Sequence, residues 1–235
     1  MRTLAAAVAA VALMPVIAVA QAYQCRVPQG PISVPRIERD GPVRQRPIHG
    51  YTLALSWSPE YCRGRETKAG DSRQCSGRSG RFGFVVHGLW PEARGRDWPQ
   101  WCPTRRSLTD REIARNLCMM PSETLVATEW AKHGTCMSHR PQSYFKITRI
   151  LWSSLRWPDF DRLSRQEALT AGDVRRAFAD ANPYWEPAHV GVKLNERGWL
   201  EELRLCYGKG FMPATCDASR FGPQDATAVK IWRGL

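Results

Sequence analysis

Two short segments of this chain contain residue types suited to proton transfer. The first has the sequence FVVHGLWP and contains His87; the second has the sequence EWAKHGTC and contains Glu129, Lys132 and His133. Two imidazoles brought together in a folded chain can act as an acid and a base near neutral pH. The carboxyl and ammonium groups beside the second histidine suit the stabilisation of a phosphate transition state. The two segments are therefore the first candidates for an active site.

The second segment is expected to lie on a helix. Ser122 precedes this helix, and Gly134 occupies the position just after its end, where glycine is favoured. Within such a helix Glu129, Lys132 and His133 are three and four positions apart, so they share one face. Ordinary surface pairs have the same spacing, so the spacing alone leaves both interpretations open.

The first segment is expected to follow a strand. Residues 81–87 form an apolar strand that stops at a turn at Gly88, which leaves His87 at the strand end. Glycine allows a ligand to approach the backbone closely, and Trp90 offers a flat surface on which a base can stack. These neighbours favour a functional His87.

The other elements predict an α+β fold with a single domain. A twisted, mainly antiparallel sheet has helices packed on one side, and a Gly-rich loop spans 63–81. Further strands are expected at 51–57, 189–194 and 199–207, and further helices from about 109, at 143–155 and at 173–181.

The N-terminal region is expected to direct export. Residues 1–22 have a basic start, an apolar stretch and A-x-A cleavage signals, with cleavage after Ala20 or Ala22. A membrane anchor is the alternative, but small residues followed by a polar segment favour a signal peptide. The Pro-rich stretch at 23–49 is interpreted as an irregular arm, and 50–235 as the globular domain. The mature protein is then expected in the periplasm or outside the cell, without a membrane anchor.

The cysteines and the charge are consistent with this destination. Eight cysteines, an even number, predict four disulfides in an oxidising compartment. The spacing of His133, Cys136 and His139 also fits a metal site, which is the alternative. The formal charge of +12 favours contact with polyanions, although it also serves solubility.

The two segments together closely resemble the signature segments of the T2 family of ribonucleases, in particular its bacterial, exported branch. The quoted residues are HGLWP from His87 and EWAKHGTC from Glu129; the likeness extends to YTLALSWSP from Tyr51, with Cys62 nearby. It covers about residues 50–216. It implies a T2-like α+β domain that acts on RNA as a monomer, with no metal and no other cofactor.

The resemblance also implies a mechanism and roles. His133 would take the proton of a ribose 2′-OH, His87 would protonate the leaving 5′-oxygen, and Glu129 and Lys132 would stabilise the phosphorane. Single-stranded RNA would be cleaved internally with low base specificity, giving 2′,3′-cyclic phosphate ends and then 3′-phosphate ends. DNA, which lacks the attacking hydroxyl, would not be cleaved. An RNA-binding relative without activity and a zinc-dependent phosphodiesterase are the alternatives.

Three further residues have expected roles in substrate binding. In the family the tryptophan of the first segment lines a base pocket, so Trp90 is the candidate here, with Glu92 assisting. Thr128 stands where many members have a third histidine, and a hydroxyl cannot carry positive charge. By the same resemblance the disulfides are expected to be Cys25–Cys118, Cys62–Cys75, Cys102–Cys136 and Cys206–Cys216.

Overall fold

The centre of the molecule is a four-stranded antiparallel sheet. The computed structural model describes residues 25–95 and 97–234, so the signal peptide expected at 1–22 lies outside the described residues. The strand order is β2-β1-β4-β3, and each neighbouring pair is antiparallel. The strands are β1 (Gly50–Trp57), β2 (Phe84–Glu92), β3 (Val190–Leu194) and β4 (Leu200–Gly208). The predicted α+β class is confirmed.

Helices connect and cover these strands. They are α1 (Ser58–Cys62), α2 (Ser72–Cys75), α3 (Asp110–Asn116), α4 (Glu123–Glu129), α5 (Thr135–Met137), α6 (Pro141–Ser153), α7 (Phe160–Leu163), α8 (Ala171–Ala181) and α9 (Ala218–Phe221). A π-helical turn, Trp130–Gly134, joins α4 to α5, and two 3₁₀ turns lie at Ala69–Asp71 and Pro187–His189. The stretch at 63–81, expected to be a loop, therefore contains α2. Reciprocal hydrogen bonds between Thr109 and Glu112 form a capping box that begins α3.

One face of the sheet carries the hydrophobic core. Leu53 and Leu55 of β1 pair with Leu205 and Leu203 of β4, and all four side chains are fully buried. Each such side chain contributes about 1.5–3 kcal/mol through removal from water. The helices add to the same cluster with Ile113, Leu117, Val126, Trp130, Tyr144, Phe145, Leu151, Phe160, Val174 and Phe178.

The opposite face of the sheet carries polar residues, because successive side chains of a strand alternate between faces. In β4, Glu202 and Arg204 alternate with the core residues Leu203 and Leu205. In β2 a bulge at His87 brings this side chain to the same polar side of the sheet. Ala54 pairs with Gly88 and Leu55 with Val86, so His87 is an extra residue with no partner on β1.

The bulge corrects the expectation for β2. The prediction that this strand stops at Gly88 is wrong, since it continues to Glu92. The extra residue places His87 and Gly88 on the polar side and then returns Leu89 to the core face, opposite Leu53. Trp90 follows on the polar side. Because of the inserted residue, the rings of His87 and Trp90, which are three positions apart, lie on the same side of the sheet.

The helix carrying the second segment also differs from the expectation. Gly134 has a helical φ of −61°, and the helical path continues through α5, so the prediction that the helix ends there is wrong. A Cβ atom at Gly134 would lie 2.5 Å from Cε3 of Trp130 and 2.9 Å from Cγ of Tyr144. Glycine is therefore required here for close packing and not for a cap.

The described part of the N-terminal arm, 25–49, contains no helix but is fixed to the domain. Backbone hydrogen bonds join Arg44 to Gln100 in both directions, and His49 donates to the carbonyl of Glu92. The four predicted disulfides are present, and one of them ties the arm to the chain after α3. They are Cys25–Cys118, Cys62–Cys75, Cys102–Cys136 and Cys206–Cys216. Among the described residues no helix has the length and hydropathy needed to cross a membrane.

Candidate active site

A cavity of about 450 Å³ lies between the polar side of the sheet and the π-helical turn. All seven side chains singled out from the sequence line it: His87, Trp90, Glu92, Thr128, Glu129, Lys132 and His133. Five others share the wall: Asp40, Trp98, Arg204, Ser219 and Arg220. The two segments recognised in the sequence therefore meet in one place.

Trp90 contacts both imidazoles. Its ring centroid is 5.2 Å from that of His87, in an edge-to-face arrangement, and 5.8 Å from that of His133. Its indole N–H donates to Oε2 of Glu129 at 2.9 Å. Trp90 thus contacts both histidines and fixes the Glu129 carboxyl group by a hydrogen bond.

Glu129 is buried against the β2 bulge. A Cβ atom at Gly88 would overlap the Glu129 carboxyl and the Trp90 indole nitrogen, so no residue larger than glycine fits there without displacing them. Burial raises the pKa of Glu129 to about 7, although His87, Trp90 and Lys132 each act to lower it. The carboxyl group therefore exchanges its proton near neutral pH.

His133 is held as a neutral imidazole. Only 6% of the residue is exposed. Burial lowers its pKa to about 3, and the positive charges of Lys132 and His87 add to this effect. Its Nδ1 atom is buried and has no hydrogen-bond partner among the described residues. At neutral pH His133 is therefore unprotonated, although the same environment makes it a weaker base than a free imidazole.

His87 has the opposite electrostatic environment. Its Nδ1 lies 2.7 Å from Oε1 of Glu202 on β4. Burial lowers the pKa of His87, but the hydrogen bond to Glu202 and the negative charges of Glu129 and Glu202 outweigh it, and the net pKa is raised. The pKa values of the two imidazoles are therefore shifted in opposite directions, which favours the protonated form of His87 and the neutral form of His133.

The arm contributes a residue that the sequence did not single out. Asp40 accepts a hydrogen bond from Nζ of Lys132 at 2.6 Å and another from the Trp101 indole at 3.0 Å. The bond with Lys132 is the main reason why the pKa of Asp40 is lowered. Trp101 in turn donates its backbone N–H to the carbonyl of Lys132 at 2.8 Å. The arm and the loop before Cys102 thus fix the position of this ammonium group.

Glu92 lines the cavity with its carboxylate already bound. Thr52 donates to its Oε1 at 2.8 Å, and the guanidinium of Arg220 contacts both of its oxygens. A nucleobase that is to be bound by Glu92 would have to compete with Arg220.

The metal-site alternative conflicts with the sulfur chemistry. Cys136 is bonded to Cys102, so it is not a free thiolate ligand. Among residues 25–95 and 97–234, no group of three or more histidine, cysteine or acidic residues is arranged to hold a metal ion.

Comparison with known proteins identifies the lineage. The model of the ribonuclease T2 family matches residues 49–171, which include both segments and most of the cavity wall. The chain belongs to this family. A ribonuclease of Aeromonas hydrophila is 44% identical over 172 residues, which cover 71% of this chain and 75% of the relative. A probable ribonuclease of Haemophilus influenzae is 33% identical over 193 residues, covering 78% of this chain and 66% of that protein, slightly less than two thirds.

Solved structures support the fold of this T2-family ribonuclease. An RNase-related protein from Calystegia sepium superposes with a TM-score of 0.63 at 22% identity. The superposition covers 79% of this chain and 98% of the plant protein. At this identity the similarity shows the fold alone.

Three residues of the cavity wall, Asp40, Arg204 and Arg220, were missed in the sequence, as was Glu202, which contacts His87. Asp40 lies in a Pro-rich stretch with no periodicity. Glu202 and Arg204 alternate with leucines, a pattern equally typical of a strand with one face in water. The local sequence carries no signal that separates these cases.

Proposed function

We propose that this T2-family ribonuclease cleaves single-stranded RNA internally by transfer of the phosphodiester to the neighbouring ribose 2′-OH. The observation that carries the proposal is that His87 and His133 both contact Trp90 and line one cavity. An internal nucleophile requires only a base, an acid and electrostatic support, because the attacking group is already part of the substrate.

The protonation states support a division of labour between the histidines. Neutral His133 removes the 2′-OH proton while the 2′-oxygen bonds to phosphorus. Protonated His87 gives its proton to the 5′-oxygen as the bond between phosphorus and that oxygen breaks. The product is a 2′,3′-cyclic phosphate. In the slower second step water attacks this ring, the histidines exchange roles, and a 3′-phosphate is formed.

Charge on the phosphorane is stabilised by the remaining groups. Lys132 supplies a cation, and Glu129, which holds a proton part of the time near neutral pH, is able to donate a hydrogen bond to a phosphoryl oxygen. Arg204 and Arg220 also line the cavity, each paired with a carboxylate, Glu202 and Glu92 respectively. Since protein groups supply every step, the proposed reaction is independent of metal ions.

Low base specificity is part of the proposal. Trp90 and Trp98 offer stacking surfaces in the cavity, and stacking contributes about 1–3 kcal/mol per base without selecting one base. The carboxylate of Glu92, which would favour particular bases, is bound by Arg220 and Thr52. Stacking therefore dominates over hydrogen-bond recognition.

Export is the proposed setting, with the chain acting as a monomer in the periplasm or outside the cell. Four disulfides support an oxidising compartment, where such bonds form and persist. The Pro-rich arm is part of the proposed mature chain, since Asp40 reaches the cavity.

The deciding experiment identifies the ends of the RNA products. The purified, oxidised chain is incubated with a short RNA in EDTA, and the fragments are analysed by mass spectrometry. Fragments ending in 2′,3′-cyclic phosphate are expected. In a matched RNA with one 2′-deoxynucleotide, only the bond after that position is expected to resist. Cleavage at the deoxy position, 5′-phosphate products or inhibition by EDTA would each contradict the proposal.

Thr128→His is expected to increase activity. The added imidazole can carry positive charge on the cavity wall, and a charged hydrogen bond to phosphate would raise kcat/KM about tenfold. The gain is expected at about pH 6 and should fade as the pH rises well past the usual histidine pKa. Thr128→Asn, which adds a polar group without charge, is the control and should give no gain. Equal kcat/KM for Thr128→His and the wild type at both pH values would refute this account.

A further inference from the structure

Glu202 is a buried carboxylate with both oxygens engaged. Only 3% of the residue is exposed. Its Oε1 lies 2.7 Å from Nδ1 of His87, and its Oε2 accepts from Nε of Arg204 at 3.0 Å. Burial raises the pKa of Glu202. The hydrogen bond and the charge of His87, together with Arg204, lower this pKa by more than burial raises it, so the group is a carboxylate. Buried carboxylates are rare unless they are paired. The pairing of Glu202 with His87 and Arg204 therefore indicates a specific role.

The sheet brings Glu202 to His87 across an intervening strand. Glu202 lies on β4 and His87 on β2, with β1 between them. Ser56 of β1 pairs with Glu202, and Ala54 pairs with Gly88. Both of these β1 side chains are small, so the carboxylate has room to reach over the strand. The bulge turns His87 towards it.

We propose that Glu202 is a positioning residue that holds the His87 imidazole with Nδ1 protonated and Nε2 directed to the leaving 5′-oxygen of the RNA. A carboxylate can only accept, so the hydrogen in the contact belongs to Nδ1 of His87. The ring is thereby fixed in one tautomer and one orientation. This inference rests on the proposed acid role of His87.

Several charged groups influence the protonation of His87, and Glu202 acts on it differently from the others. Glu129 of α4 and Glu202 of β4 favour the protonated imidazole, whereas Lys193 of β3 disfavours it. His133, on the π-helical turn, is lowered in pKa by His87 and is itself neutral. Of these groups Glu202 is the one that forms a hydrogen bond with the ring.

The contact with Glu202 orients the His87 imidazole, whereas the His133 imidazole has no comparable contact at Nδ1. Nδ1 of His133 has no partner in the described part of the chain. An oriented and protonated His87 beside an unpaired, neutral His133 is what an acid and a base require. Glu202 therefore contributes to the difference between the two histidines.

Glu202→Gln tests this role through the pH profile. Removal of the negative charge lowers the pKa of His87, so the alkaline limb of the plot of kcat against pH is expected to move to lower pH. At pH values on that limb kcat for a short RNA should fall about 10- to 100-fold, less than for loss of the imidazole, with KM within about twofold. A purely structural role would not move the limb.

Two comparisons make the test specific. Glu201→Gln removes the same charge from the adjacent position, where the side chain pairs with Lys193 at 3.3 Å, and it should leave the limb in place. The second comparison uses uridine 3′-(4-nitrophenyl phosphate), whose leaving group departs without protonation. On this substrate the loss in Glu202→Gln should shrink to less than about threefold, because general acid catalysis is not needed.

A measurement on the wild type does not depend on the folding of any variant. ¹⁵N chemical shifts of neutral His87 are expected to show the hydrogen on Nδ1. A neutral form with the hydrogen on Nε2, an unmoved limb, or equal losses on both substrates would overturn the proposal. Absence of cyclic phosphate from wild-type digests would instead contradict the proposed function, while the tautomer would still report on the contact with Glu202.

Discussion

His133→Ala and His87→Ala are each expected to lower kcat for RNA about 10²- to 10⁴-fold, the range typical of a lost general acid or base. KM should change little, since Trp90 and Lys132 remain in the cavity. The double variant should lose much less than the product of the two single losses, because both groups act in one step. The measurement is steady-state kinetics on a short RNA, with unfolding curves to verify the fold.

The same two variants distinguish the general acid from the general base. With uridine 3′-(4-nitrophenyl phosphate), His87→Ala should regain most of its activity, whereas His133→Ala should remain impaired, because the 2′-OH still has to lose its proton. His139→Ala serves as the control: this exposed imidazole lies close to His133 in sequence but does not line the cavity. Recovery of His133→Ala and not of His87→Ala would reverse the assignment.

Glu129→Gln is expected to change activity and stability in opposite directions. In the folded chain the pKa of Glu129 is about 7, against 4.5 for the free side chain. The folded state therefore holds a proton that the unfolded state has lost, and the carboxyl group destabilises the fold increasingly as the pH rises from about 4.5 to about 7. Glutamine does not ionise, so above this range the variant should be more stable by roughly 3 kcal/mol.

The difference in stability should disappear near pH 4, where the carboxyl group is protonated in both states. The kcat of Glu129→Gln should fall about 10²-fold, as for other electrostatic groups in active sites. Glu123→Gln is the matched control on the same helix, since its partly exposed ion pair with Arg73 contributes at most about 1 kcal/mol. Equal stability of Glu129→Gln and the wild type above pH 7, in urea unfolding, would refute the assignment of a raised pKa.

Local signals in the sequence were sufficient for much of the fold. The capping box of Thr109 and Glu112 begins α3, and the alternation in Leu53 and Leu55 marks a strand with one face in the core. The two histidine segments were expected to meet, and they do. Caps and periodicity are encoded by neighbouring residues, so they can be read without knowledge of the tertiary structure.

Both errors at the site concern glycine. Gly88 and Gly134 were interpreted as a turn and a helix end, but each lies within a regular element. Gly88 makes room for Glu129, and Gly134 makes room for Tyr144. Glycine is used both for unusual backbone angles and for close contact, and the sequence alone does not distinguish the two uses.

The missed residues depend on long-range contacts. Asp40 is 92 residues from Lys132, and His87 is 115 residues from Glu202. Neither acidic residue has a distinctive neighbourhood in the sequence. Their importance follows only from the path of the arm and from the strand order, which places β4 and β2 on either side of β1.

The bulge in β2 makes His87 an insertion between two paired residues. Without it, Val86 and Gly88 would become consecutive, and every other pair between β1 and β2 would keep its present partner. The histidine is thus dispensable for the architecture, although the proposed chemistry depends on it. On the proposed mechanism, deletion of this single codon is expected to remove the proton donor and to leave a regular ladder, and the reverse event would add the donor to a sheet of the same register. Catalysis and folding are therefore open to separate selection at this position.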